Sequence, residues 1–112
     1  MKENSLITFI IGTRPEAIKL SPIINIFSKS DKYKVRVILT GQHKDMVNDV
    51  LQIFDIKVDL NLNIMLPNQT LNYLISKIIK ELSSELISNR PDILIVQGDT
   101  SSAFSSALTA FN

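Results

Sequence analysis

The chain contains no cysteine. That excludes a disulfide scaffold, a thiol nucleophile and a cysteine-based zinc site. A single histidine among 112 residues is too little for a histidine-rich metal centre. Charge of one sign is also missing: 12 Lys and Arg face 11 Asp and Glu, for a net charge of +1. Nothing therefore draws the chain electrostatically toward nucleic acid. No apolar run approaches the ~20 residues of a membrane span. The opening Met1-Lys2-Glu3-Asn4-Ser5 with the short apolar run behind it is too brief for a secretory signal and lacks a cleavage site. A cytoplasmic protein with no membrane or nucleic-acid partner is the expectation. What is present suits one domain: the length fits, and a 45% hydrophobic composition is enough for a core.

Glycine is scarce too, and its placement is informative. The three glycines are Gly12, Gly41 and Gly98. Each directly follows an apolar run, Leu6–Ile11, Val35–Thr40 and Asp92–Gln97, that reads as a buried strand. Helical periodicity follows each one. The first helix is expected from Pro15 to Ser28 with Leu20, Ile23, Ile24 and Phe27 inward, broken near Ser21 by Pro22. The second covers Lys44 to Phe54, with Met46, Val47, Val50, Leu51 and Phe54 on one side. Val58–Leu60 reads as a short third strand. The third helix, capped by Asn68 or Thr70, carries Leu71, Leu74, Ile75, Ile78, Ile79, Leu82 and Leu86 on the 3.6-residue period. A last helix bears Ala103, Phe104, Ala107 and Leu108 on its apolar side. Alternating strands and helices predict an α/β, Rossmann-like three-layer domain with a four-stranded parallel sheet. Crossover handedness gives the strand order 3-2-1-4. The fourth strand then lies on an open edge and invites pairing with another chain.

In such a sheet all three glycine turns fall on one edge, the carboxyl ends of the strands, where open α/β sheets bind ligands. That edge gathers Arg14, Glu16, Lys19, Gln42, His43, Asp99, Thr100 and Ser101. Helix N-termini there favour anions, and Arg14 and Lys19 add full charges suited to a diphosphate. Simpler uses stand beside these. Thr13 and Glu16 have the spacing of a capping box, with Pro15 suited to a first turn. Asp99 can cap the last helix, the hydroxyls of Thr100 to Ser102 can bond a phosphate or cap that helix, and His43 can be a cap or a surface group. No GxSxG nucleophile elbow occurs.

The stretches Gly12-Thr13-Arg14-Pro15-Glu16-Ala17-Ile18-Lys19, Thr40-Gly41-Gln42-His43, Leu62-Asn63-Ile64-Met65 and Gln97-Gly98-Asp99-Thr100 resemble the amino-terminal domain of the non-hydrolysing UDP-N-acetylglucosamine 2-epimerases. The octapeptide is specific, and Pro15-Glu16-Ala17 separates it from the hydrolysing relatives. The resemblance, from about Ile7 to Phe111, implies the first half of a GT-B fold, with the active site in a cleft between two Rossmann-type domains. It implies interconversion of UDP-GlcNAc and UDP-ManNAc by anti elimination of UDP to 2-acetamidoglucal and re-addition of UDP, for surface polysaccharide synthesis. By the same resemblance Arg14 and Lys19 are substrate-binding and Asp99 belongs to the acid/base set. Gln42, His43 and Gln69 match a regulatory UDP-GlcNAc site of some members. UDP-GlcNAc and UDP are the implied ligands, no metal or redox cofactor is implied, and family members are expected to be homodimers.

Two departures qualify these expectations. Gln97 stands where the family commonly has His before Gly-Asp-Thr. The chain also ends at Asn112, whereas the family continues through two further glutamates and a UDP-binding second domain. Residues 1–112 are thus expected to be a partial amino-terminal domain, inactive by itself. A nucleotide-sugar-binding module without turnover, or an assembly piece, is the alternative.

Overall fold

The computed structural model describes residues 4–41, 44–64, 68–98 and 100–112. Strand β1 (Ser5–Ile11) leads into helix α1 (Arg14–Ser28), and β2 (Tyr33–Leu39) into α2 (Lys44–Ile53). Strand β3 (Leu60–Asn61) is followed by α3 (Leu71–Ser88), and β4 (Ile93–Ile95) by α4 (Ser101–Phe111). The sheet order is β3-β2-β1-β4 and every pairing is parallel. Register runs from Ser5 opposite Tyr33 to Ile11 opposite Leu39, so β1 and β2 end level with one another. Their following turns consequently share one edge, as the glycine spacing predicts.

Alternation along β1 builds two cores. Ile7, Phe9 and Ile11 pack with Ala17, Leu20, Ile24, Val47, Val50 and Leu51, the inner faces of α1 and α2. Ile10 and Ile38 point the other way and meet Leu82 of α3, with Leu86, Leu94 and Val96 around them. This gives the three layers expected of an α/β domain. Strand β4 lies at the edge, paired only through Ile7–Phe9 of β1, and its Ile93 is 40% exposed.

Several expectations are corrected. Strand β3 falls two residues later than Val58, because Asp59 instead presents its carboxylate to the Val37 N–H at 2.7 Å. Helix α1 runs unbroken through Pro22. The proline removes one backbone bond on a solvent-facing side of the helix, where the freed carbonyl can be hydrated. Ile23 and Met46 are exposed rather than inward, and so is Leu71 in the first turn of α3. The largest revision is α4. Its buried face is Ser102, Ala103, Ser105, Ser106 and Thr109, while Phe104 is 57% exposed. Small side chains let α4 lie close against α3 and β1, and Thr109 satisfies its hydroxyl on the Ser105 carbonyl at 2.7 Å. Thr70 caps α3 as expected, accepting from the Tyr73 N–H at 3.1 Å.

Candidate functional site

The turn after β1 departs from the capping box that Thr13 and Glu16 suggest. Thr13 is the residue before the first helical turn of α1, yet its side chain caps no backbone N–H. It donates instead to Glu16 Oε2 at 2.7 Å. Glu16 reaches back past Thr13 and accepts from the Gly12 N–H through Oε1 at 3.0 Å. A third donor comes from the far end of the chain: the Thr100 hydroxyl bonds Glu16 Oε2 at 2.8 Å. The carboxylate is only 2% exposed. A carboxylate offers two oxygens that accept and nothing that donates, which matches three converging donors.

Thr100 faces two ways. While donating to Glu16, its oxygen accepts from the Ala103 N–H at 3.2 Å and so caps α4. Thr100 is thus the N-cap of α4, one of the caps that sequence reading offers. A second buried contact joins the middle turn to the last. Thr40 Oγ1 lies 3.0 Å from Ser102 Oγ, and both residues are fully buried. The Thr40 backbone ties in both neighbours, donating to the Ile11 carbonyl and accepting from the Ile64 N–H, each at 3.0 Å. The carboxyl edge of the sheet therefore rests on a polar floor of Gly12, Thr13, Glu16, Thr40, Thr100 and Ser102.

Gly41 explains its own presence without a ligand. Its φ is +91°, and a Cβ there would meet Asn63 Cα at 2.9 Å and the amide nitrogens of Asn63 and Ile64 at 3.0 Å. The chain's own 63–64 backbone uses the space. Gly98 also has positive φ, +84°, but opens on free space among the described residues.

Above this floor stand the two cations singled out from sequence. Arg14 opens α1 and Lys19 follows it in the next turn; both are exposed. Neither makes an ion pair or hydrogen bond among the described residues. Five residues apart, they diverge by about 140° around the helix. Gln69 donates its amide to the Ile64 carbonyl at 3.1 Å, and its Oε1 is buried without a partner among the described residues. Asp99, Gln42 and His43 lie outside the described residues. Sequence reading underrates Glu16 and does not single out Thr40 as a site residue, while it offers the Ser102 hydroxyl for a phosphate or a cap. The only advance signal is their position beside the glycine turns. A groove of about 730 Å³ opens at the opposite edge among Leu86, Arg90, Asp92, Leu94 and Thr109, remote from these turns. No group of metal-ligating side chains occurs among the described residues.

A parallel α/β sheet whose carboxyl edge carries exposed cations beside a hydrogen-bonded polar floor defines a Rossmann-like domain of the kind that binds anionic ligands at that edge. The chain belongs to the UDP-N-acetylglucosamine 2-epimerase family, whose model matches residues 26–112. The UDP-N-acetylglucosamine 2-epimerase of Neisseria meningitidis serogroup A is 43% identical over 102 residues, which span 91% of this chain and 27% of that protein. The Campylobacter jejuni enzyme of the same name is 44% identical over 105 residues, 94% of this chain and 27% of its own length. The crystal structure of the Neisseria meningitidis enzyme bound to UDP-GlcNAc superposes with a TM-score of 0.90 at 42% identity, over 95% of this chain and 29% of that one. The Methanocaldococcus jannaschii enzyme in complex with UDP-GlcNAc and UDP superposes at 0.86 with 33% identity, over 94% and 29%. The chain thus spans under a third of the length of the relatives it matches.

Proposed function

We propose that residues 1–112 form the partial first domain of a UDP-GlcNAc 2-epimerase and supply one wall of its substrate cleft. A second, UDP-binding domain of the same enzyme supplies the other wall. The observation that carries this reading is the pair of exposed cations, Arg14 and Lys19, without an ion pair among the described residues, at the start of α1 in a family whose solved relatives hold UDP-GlcNAc and UDP. In the proposed reaction the C2 proton is removed, the C1–oxygen bond breaks and UDP leaves. UDP then re-adds after C2 is protonated from the other face. Charge develops on the departing diphosphate, and positioned cations stabilise it most in the transition state.

Glu16 is buried and engaged with three donors, so it is poorly placed to exchange a proton with substrate. That leaves Asp99, beside Gly98, as the carboxylate of this edge for acid/base chemistry. Gln42, His43 and Gln69 belong to the same reading as a regulatory UDP-GlcNAc subsite, and so do a homodimeric assembly and a cytoplasmic location. No helix among the described residues is long and apolar enough to cross a membrane.

The test uses a chimera joining residues 1–112 to the remaining sequence of the Neisseria meningitidis relative, assayed for conversion of UDP-GlcNAc to UDP-ManNAc. Activity is expected. Arg14→Ala should lower kcat/KM by on the order of 10²–10³-fold. Asp99→Asn should lower kcat by ~100-fold or more while UDP binding persists. UDP-GlcNAc binding by the chimera without turnover would favour a binding module instead. Full activity of Arg14→Ala would remove the cations from the site.

A further inference from the structure

We propose that Glu16 is a positioning residue for epimerisation, a buried clamp that sets the turn carrying Arg14 against the turn carrying Asp99. The proposal rests on the epimerase reading above. The geometry that motivates it is the sharing of one side chain between two catalytic-edge turns that are distant in sequence. Through Oε1 the carboxylate holds Gly12, and through Oε2 it holds Thr13. Arg14 is the next residue along. The same Oε2 holds Thr100, the residue directly after Asp99. The bond from Thr100 thus ties the last turn to the first through Glu16.

The demand for a carboxylate is specific. Glu16 is only 2% exposed, so its partners must be supplied by the protein. All three groups facing it are donors. A glutamine would turn an NH₂ toward one side. If it faces Gly12, two buried donors oppose each other. If it faces the threonines, their hydroxyls must reverse, although Thr100 Oγ1 already accepts from the Ala103 N–H. Either outcome loosens one turn relative to the other without removing any group that touches substrate. A shift of about 1 Å between reacting groups is enough to cost ~100-fold in rate.

A staple that served the fold alone would predict something different. It would lower the melting temperature and leave kcat of the folded enzyme unchanged. The clamp predicts a loss in kcat that exceeds any loss of folded protein and that depends on Thr100.

The experiment is steady-state epimerisation of UDP-GlcNAc by the chimera, with a thermal melt of each variant. For Glu16→Gln we expect kcat to fall ~10–100-fold with KM little changed. Thr13→Val removes one hydroxyl without touching a helix cap and should give a smaller loss in the same direction. Thr100→Ser keeps the donor and should stay near wild type, whereas Thr100→Val should not. The double variant Glu16→Gln/Thr100→Val should be no slower than the slower single. A folded Glu16→Gln enzyme with kcat near wild type would overturn the proposal. So would a double-variant loss equal to the product of the two singles. If Glu16→Gln does not fold, unchanged kcat in both Thr13→Val and Thr100→Val overturns it. An inactive chimera overturns the functional reading and the clamp together. An active chimera with active Glu16→Gln overturns the clamp alone.

Discussion

Replacing each of two glycines by alanine separates backbone strain from steric contact. Gly41 and Gly98 both sit at positive φ, +91° and +84°. An alanine forced into left-handed backbone costs ~1–2 kcal/mol at either site. The surroundings differ. At Gly41 the new methyl would press on Asn63 Cα at 2.9 Å and on two amide nitrogens at 3.0 Å. Those are backbone atoms held by the Ile64-to-Thr40 hydrogen bond, so they cannot rotate aside as a flexible side chain does. Overpacking of this kind adds ~1–3 kcal/mol. At Gly98 the methyl meets nothing within 4 Å among the described residues. Gly41→Ala should therefore cost ~2–5 kcal/mol and Gly98→Ala only ~1–2 kcal/mol. Urea unfolding followed by circular dichroism, with the slope held in common, gives both values. The two melting temperatures should differ by at least ~4 °C. Equal costs, or a greater cost at Gly98, would refute the claim that the 63–64 backbone is what excludes a side chain from position 41.

Further outcomes follow from the same structure. Because α4 buries its serines and shows Phe104 to solvent, Phe104→Ser should change stability by less than ~0.5 kcal/mol. Ser106→Leu on the buried face should cost ~1–3 kcal/mol, both read by chemical denaturation. Thr40→Val should cost ~0.5–1.5 kcal/mol. Its effect should be less than additive with Ser102→Ala in a double-mutant cycle, because the two hydroxyls meet at 3.0 Å. Thr70→Ala should remove the α3 cap at ~1 kcal/mol, measured as a shift in the urea midpoint.

The sequence alone determined the parallel sheet, its order, and the gathering of the glycine turns at one edge. These follow from local rules: continuous apolar runs mark strands buried on both faces, 3.6-residue spacing marks helices, and handed crossovers order the strands. The octapeptide from Gly12 to Lys19 and the Gly98-Asp99-Thr100 turn were equally legible as chemistry, since both announce charge and hydroxyls at helix starts. Even the cap of α3 at Thr70 could be read locally.

What the sequence did not determine was which partner each polar side chain would take. Thr13 and Glu16 have capping-box spacing, but spacing cannot reveal that Thr100, 84 positions further on, arrives as a third donor and draws the carboxylate inward. The inner face of α4 was misjudged for a related reason. Hydrophobic pattern assumes that apolar residues face the core. On α4 the distance to α3 and β1 selects small residues instead, so Ser102, Ser105 and Ser106 go in and Phe104 comes out. Gly41 likewise owes its role to the returning 63–64 backbone. Periodicity is a property of neighbours along the chain; hydrogen-bond partners and available volume belong to neighbours in space, and only the tertiary structure brings those together.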